Sequence, residues 1–115
     1  MHRFEELVTW KKPASLSVEI YRKFDHIKDF GFKNQITRSG LSISSNIAEG
    51  YERLSKKELR NFLNYAKGSA GELRSQIYIG MKIGYIDSET GKIWLKEAEE
   101  ISKMLQKLLE KFKPK

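Results

Sequence analysis

At 115 residues the chain suits one domain with a modest core, and its net charge of +7, from 22 basic against 15 acidic residues, favours anionic partners. It has no cysteine, which excludes a disulfide framework, a thiolate metal site and a cysteine nucleophile. Residues 1–6 lack the apolar segment of a signal peptide, and the longest apolar stretch, Ile77 to Met81, is too short to span a bilayer, so a cytoplasmic protein with no membrane contact is expected.

Prolines occur only at positions 13 and 114, and no segment alternates polar and apolar residues, so an all-α chain is predicted. The first helix is expected over about residues 7–28, with Trp10, Ala14, Val18, Tyr21 and Phe24 on its buried face. Pro13 is tolerable only in a first turn, where its missing N–H is not needed, so the regular helix is expected to begin near Thr9 to Lys12 or to kink there. Asp29-Phe30-Gly31 breaks the pattern, and a second helix follows over residues 32–53. At helical spacing Ile36, Gly40, Ile43, Ile47, Gly50 and Leu54 form its core stripe.

Leu54-Ser55 is a short turn in which Ser55 caps the third helix, with Glu58 completing a capping box. That helix is expected over residues 56–84. It contains Gly68 and Gly71, each costing about 1 kcal/mol against alanine in a helix interior. Close approach of another helix, within the chain or from a second subunit, accounts for them; a locally weak helix is the alternative. Tyr85 to Ser88 forms a turn, and the fourth helix, over residues 90–112, carries Trp94, Ala98, Ile101, Leu105, Leu108 and Phe112 in register. Such short connections predict an antiparallel up-down-up-down four-helix bundle.

Two polar patterns remain. Gln35, Arg38, Ser42, Asn46, Glu49 and Arg53 share one flank of the second helix and mix amide, hydroxyl, guanidinium and carboxylate, the groups of a hydrogen-bonded network. When the second and third helices fold together about Leu54-Ser55, Arg38 comes level with Glu72, Gln35 with Gln76 and Glu49 with Asn61. A structural seam of Gln35, Arg38, Ser42, Asn46, Glu49, Glu72 and Gln76 is therefore expected, with an Arg38–Glu72 ion pair across it. The opposite flank of the third helix carries Lys56, Arg60, Lys67 and Arg74 in one ridge, extended by Arg53 and Lys57. Residues 32–84 hold nine basic and four acidic residues, so positive charge concentrates here. A free ridge of this kind can follow a phosphate backbone without reading bases; a solvated helix face is the bland alternative.

Catalytic patterns are absent. His2 and His26 stand alone, and no phosphate-cradling glycine loop or nucleophile elbow occurs. Glu97, Glu99 and Glu100 read as the wet face of the fourth helix, and Glu49 and Glu72 lack the Glu-x-x-His repeats of carboxylate metal bundles. No enzymatic activity, cofactor or metal is expected.

Asn46-Ile47-Ala48-Glu49-Gly50 followed by Arg53, with Gln35-x-x-Arg38 before it, resembles the bacterial four-helix bundle proteins encoded in intervening sequences of 23S ribosomal RNA genes. Phe62-Leu63-x-x-Ala66-x-Gly68-Ser69-x-x-Glu72, Gly84-Tyr85-Ile86-Asp87 and the opening Phe4-x-x-Leu7-x-x-Trp10 match as well. Pro13, and Leu41 in place of a small residue, depart from the pattern. The resemblance implies a ring-like homopentamer. It also implies kinship with the accessory protein of diversity-generating retroelements, a basic pentamer that binds nucleic acid and the reverse transcriptase. Two readings follow: a non-catalytic oligomer that binds RNA or DNA through its basic ridges, or an interaction scaffold for a protein such as a reverse transcriptase.

Overall fold

The computed structural model describes residues 4–114; His2 lies outside them. A 3-10 turn over Phe4–Glu6 leads into four helices, α1 Val8–Lys23, α2 Phe30–Tyr51, α3 Lys56–Lys82 and α4 Ser88–Lys111. Three of the four helix starts are fixed by a side-chain oxygen that accepts an otherwise orphaned backbone N–H. Asp29 accepts from Phe32 at 3.1 Å, Ser55 from Glu58 at 3.1 Å and Asp87 from Thr90 at 3.0 Å. α3 stops where Gly84 takes a left-handed φ of 84°, which returns the N–H groups of Tyr85 and Ile86 to the Gly80 carbonyl at 2.9 and 3.1 Å.

Side-chain contacts fix the directions. Ser39 meets Glu72 and Ser42 meets Ser69 between α2 and α3, while Lys67 meets Gln106 and Arg74 meets Glu99 between α3 and α4. Lys12 pairs with Glu100, and Lys23 with Asp87, between α1 and α4. One partner's number rises as the other's falls, so these neighbours are antiparallel. α1 also packs on α2, while α1 and α3, like α2 and α4, lie diagonally opposed. The antiparallel four-helix bundle is as expected, drawn out to 47 × 22 × 19 Å.

The core takes Ile36, Ile43 and Ile47 from α2 and Leu59, Leu63, Ala66, Ala70, Leu73 and Ile77 from α3. Gly40 and Gly50 are buried as the stripe predicted, because neighbours sit against their Cα atoms. A Cβ at Gly50 would lie 3.0 Å from Leu59 and 3.1 Å from Phe62. Leu54 is fully exposed, since α2 ends at Tyr51 and the residue falls in the turn beyond it. In α4 Trp94, Ala98, Ile101 and Leu105 are buried, but Leu109 takes the next core position and Leu108 is only partly buried. A 3.6-residue turn drifts from a seven-residue repeat over this length.

α1 departs most from expectation. Its core face is Pro13, Leu16, Ser17, Ile20 and Phe24, whereas Val18 and Tyr21 are exposed. Two apolar sets at helical spacing compete on this helix, and the bundle buries the one containing Leu16 and Ile20. Pro13 lies inside the helix rather than in its first turn. The helix starts at Val8, one residue before Thr9 and within the expected span, and burial of the proline ring offsets the missing N–H donor.

One end of the bundle is closed by aromatic and capping contacts. Phe24 packs on Phe32 and Trp94 with ring centroids 5.7 and 6.4 Å apart, and Phe32 meets Tyr85 edge-on at 5.4 Å. The Tyr85 hydroxyl donates to Asp29 at 2.9 Å, joining the α1–α2 and α3–α4 connections. The Phe32 N–H, then the Tyr85 hydroxyl, hold the Asp29 carboxyl below its ordinary pKa. The Thr90 backbone and side chain, then Lys23, do the same more strongly for Asp87. Glu97 moves the other way, raised first by burial and then by the charge of Glu19.

A lowered folded pKa means that the unfolded chain binds more protons. The stability from Asp29 and Asp87 is therefore complete above the ordinary carboxylate pKa near ~4 and is lost as pH falls through the lowered folded values. Glu97, with a raised pKa, protonates earlier on acidification and opposes the loss. The urea midpoint is expected to fall between about pH 5 and about pH 2. Asp87→Ala should lower the midpoint at neutral pH and flatten that fall; an unchanged acid limb would show that these caps do not control it.

Candidate nucleic-acid interface

The basic ridge exists on α3, but packing divides it. Arg60, Lys67 and Arg74 lie in the seam with α4, and each is engaged there. Arg60 Nε donates to the Leu109 carbonyl at 3.3 Å, satisfying an acceptor near the end of α4. Lys67 Nζ donates to Gln106 Oε1 at 2.5 Å, and Arg74 Nη2 lies 3.7 Å from Glu99. Arg74 Nε is buried without a partner among the described residues. The expectation of a free cationic edge is thus corrected for these three: no acidic residue on α3 interrupts the ridge, but α4 supplies the acceptors.

The other end of the ridge is open. Lys56 and Lys57 are exposed on the first turn of α3 and make no ion pair among the described residues. They occupy the positive end of a 27-residue helix, where acidic residues are favoured and a cation costs about 0.3–1 kcal/mol. Glu58 is the only acidic residue in that turn. Arg53 belongs to the same corner but is tied to Glu49, and its guanidinium lies 4.9 Å from the Phe62 ring centroid. The candidate interface is therefore the end of the bundle where α3 begins, with Lys56 and Lys57 free and Arg60 half-committed. Lys92, Lys96, Lys103 and Lys107 are exposed along α4, with Glu89, Glu99 and Glu110 interleaved among them.

The polar seam between α2 and α3 also forms, with different members. Ser39 Oγ lies 2.8 Å from Glu72 Oε1 and 3.1 Å from the Gln35 carbonyl. Ser42 and Ser69 share a hydroxyl hydrogen bond at 2.9 Å, and Asn46 Nδ2 donates to both the carbonyl and the hydroxyl of Ser42, at 2.8 and 3.0 Å. Gln76 Nε2 donates weakly to Glu72 at 3.4 Å, while Gln76 Oε1 is buried without a partner among the described residues. Arg38 does not pair with Glu72. It is exposed beside Tyr21, Asn34 and Leu41, towards α1. Glu49 binds Arg53 on its own helix rather than meeting Asn61, and no side-chain bond joins Gln35 to Gln76. The reading of the hairpin placed these residues at the right levels but missed Ser39 and Ser69, whose short side chains fit the close helix contact that a guanidinium does not.

Two further surfaces concern assembly. Between α1 and α2 an apolar groove of about 500 Å³ is lined by Trp10, Ala14, Val18, Tyr21 and Leu41. On the outer face of α3, nothing among the described residues lies within 4 Å of a Cβ built at Gly68 or Gly71. The close approach that would explain these glycines is not made among them. Among the described residues no group of three or more His, Cys, Asp or Glu could hold a metal ion, and no helix is long and apolar enough to cross a membrane.

These features define an all-α bundle with a cationic end, a packed polar seam and an uncovered apolar groove. The profile of the 23S rRNA-intervening sequence protein family matches residues 5–107, and the chain belongs to that family. Its fold is similar to the crystal structure of a protein of unknown function from the S23 ribosomal protein family of Bacteroides thetaiotaomicron VPI-5482. The TM-score is 0.83 at 29% sequence identity, over 89% of this chain and 98% of that one. No curated protein matches the sequence.

The seam predicts an asymmetry between neighbouring residues on α2. Ser39→Ala, which strips Glu72 of a part-buried donor, should destabilise by about 1 kcal/mol. Arg38→Ala should change stability by less than about 0.5 kcal/mol. Chemical denaturation of the two variants checks this, and the reverse order would restore the Arg38–Glu72 pairing.

Proposed function

We propose that the protein is a non-catalytic, cytoplasmic nucleic-acid-binding module, with RNA its first candidate ligand, that acts as a homo-oligomeric ring. The observation that carries the reading is the pair of lysines at the positive end of α3, beside Arg60, that have no ion-pair partner among the described residues. Cations placed where the helix field disfavours them raise the local potential and suit a phosphate. A single such corner binds weakly, and repetition around a ring multiplies it through effective concentration. Five copies is the number proposed for that ring.

A ring of more than two subunits needs two different faces that meet head to tail. The apolar α1–α2 groove and the glycine-bearing face of α3 supply one candidate pair. Gly68 and Gly71 would let a neighbouring helix come close, and Val18, Tyr21 and Leu41 would lose water in the contact. The exposed groove also supports a second reading, in which its occupant is another polypeptide such as a reverse transcriptase and the chain is a scaffold.

Binding to RNA and to duplex DNA across a salt series tests the first reading. With about four phosphates engaged per site, log affinity should fall against log salt with a slope near −3 to −4, and Lys56→Glu with Lys57→Glu should weaken binding at least about tenfold. A flat salt response removes it. Native mass measurement tests the ring. The chain should assemble, Val18→Glu should yield monomers, and Gly71→Leu should do the same while leaving the bundle folded. A monomeric native chain that captures a protein partner through the groove would favour the scaffold.

A further inference from the structure

At the cationic end of the bundle a cleft of about 360 Å³ is lined by Lys56, Lys57, Arg60, Asn61, Phe112 and Pro114. Its walls differ in chemistry. One side is the start of α3, with Lys56 and Lys57 in its first turn, Arg60 just beyond it, and the helix's own positive end. The other is the segment that follows α4, where Phe112 is half-buried and Pro114 exposed. Phe112 meets Tyr51 edge-to-face with ring centroids 6.3 Å apart, which fixes the ring, and it still lines the cleft. Arg60 is oriented by its Nε bond to the Leu109 carbonyl, and its two Nη groups have no partner among the described residues. None of the lining residues is acidic.

We infer that this cleft receives one unstacked nucleotide of a single-stranded nucleic acid, its phosphate on Lys56, Lys57 and Arg60 and its base against Phe112 and Pro114. The inference rests on the nucleic-acid reading above and narrows it. The volume lies at the small end of the ~300–1,000 Å³ typical of small-molecule sites, enough for a nucleotide and too confined for a duplex. Cations beside an aromatic ring are the pairing that single-strand sites use, the charge holding the backbone and the ring stacking a base of any sequence. Asn61 at the rim adds an amide able to hydrogen-bond sugar or base edges.

Amide chemical-shift mapping of the full chain, titrated separately with adenosine 5′-monophosphate, a short single-stranded RNA and its duplex, tests this. Signals of residues 56–61 and 111–113 should move with the monophosphate and the single strand, and much less with the duplex. Asn61→Asp adds a carboxylate to the cleft and should weaken the single strand at least tenfold, whereas Lys103→Gln, an equal charge change on the outer face of α4, should weaken it less than threefold. Equal shifts of the cleft signals with the duplex would overturn the single-nucleotide inference. Binding of the single strand with its shifts confined to the Lys67 and Arg74 seam would overturn it and leave the broader reading standing. Absence of binding by any nucleic acid would overturn both.

Discussion

The close antiparallel contact of α2 with α3 determines what every other surface can do. Small residues set it: Ser42 meets Ser69 across the seam, Ser39 reaches Glu72, and Gly50 lets Leu59 and Phe62 pack against the end of α2. Hydroxyl pairs and a glycine allow an approach that long polar side chains would prevent, and the polar atoms drawn in are largely satisfied there. Once the seam fixes the rotation of α3, its basic flank must point away from α2. α4 occupies that side, so Arg60, Lys67 and Arg74 become parts of the α3–α4 packing. Only the first turn of α3 extends past this engagement.

The bundle is consequently polarised along its length. The end holding the α1–α2 and α3–α4 connections is tied by the Asp29–Tyr85 hydrogen bond, the Lys23–Asp87 pair and the cluster of Phe24, Phe32, Trp94 and Tyr85. The opposite end, where α2 turns into α3 and α4 finishes, gathers Arg53, Lys56, Lys57 and Arg60 with Phe112 and Pro114. The Asp29–Tyr85 tie and the four-ring cluster thus sit at one end, and the open lysines stand at the other, at a helix start that disfavours them. Rules of local consistency broken in this way point to function more often than to error.

Much of the architecture could be read from residues alone. Asp29, Ser55 with Glu58, and Tyr85 to Asp87 mark the breaks, although α1 already ends at Lys23 and Phe30 and Gly31 open α2, and the isoleucine stripe of α2 with Trp94, Ala98 and Ile101 of α4 marks the core. The level of α2 against α3 is also readable, because the short connection from Glu52 to Ser55 leaves little freedom. What failed had a common cause. On α1, Trp10, Ala14, Val18 and Tyr21 and the alternative set of Leu16 and Ile20 are both apolar at helical spacing, with Phe24 buried as expected, and only packing chooses between them. Arg38 was paired with Glu72 because opposite charges at matching levels attract, but the contact is too tight for a guanidinium and the serine hydroxyl fits. Lys67 and Arg74 looked free because their acceptors, Gln106 and Glu99, lie on a helix distant in sequence.

The central claim is that packing separates the cations of α3 into an engaged seam and an open end. Residue-resolved acetylation rates of the lysines, measured with and without single-stranded RNA, address it directly. The account predicts that Lys56 and Lys57 react quickly in the free protein and are protected by RNA, while Lys67, held by Gln106, reacts slowly in both states. Fast labelling of Lys67 that RNA suppresses, with Lys56 and Lys57 unaffected, would contradict it.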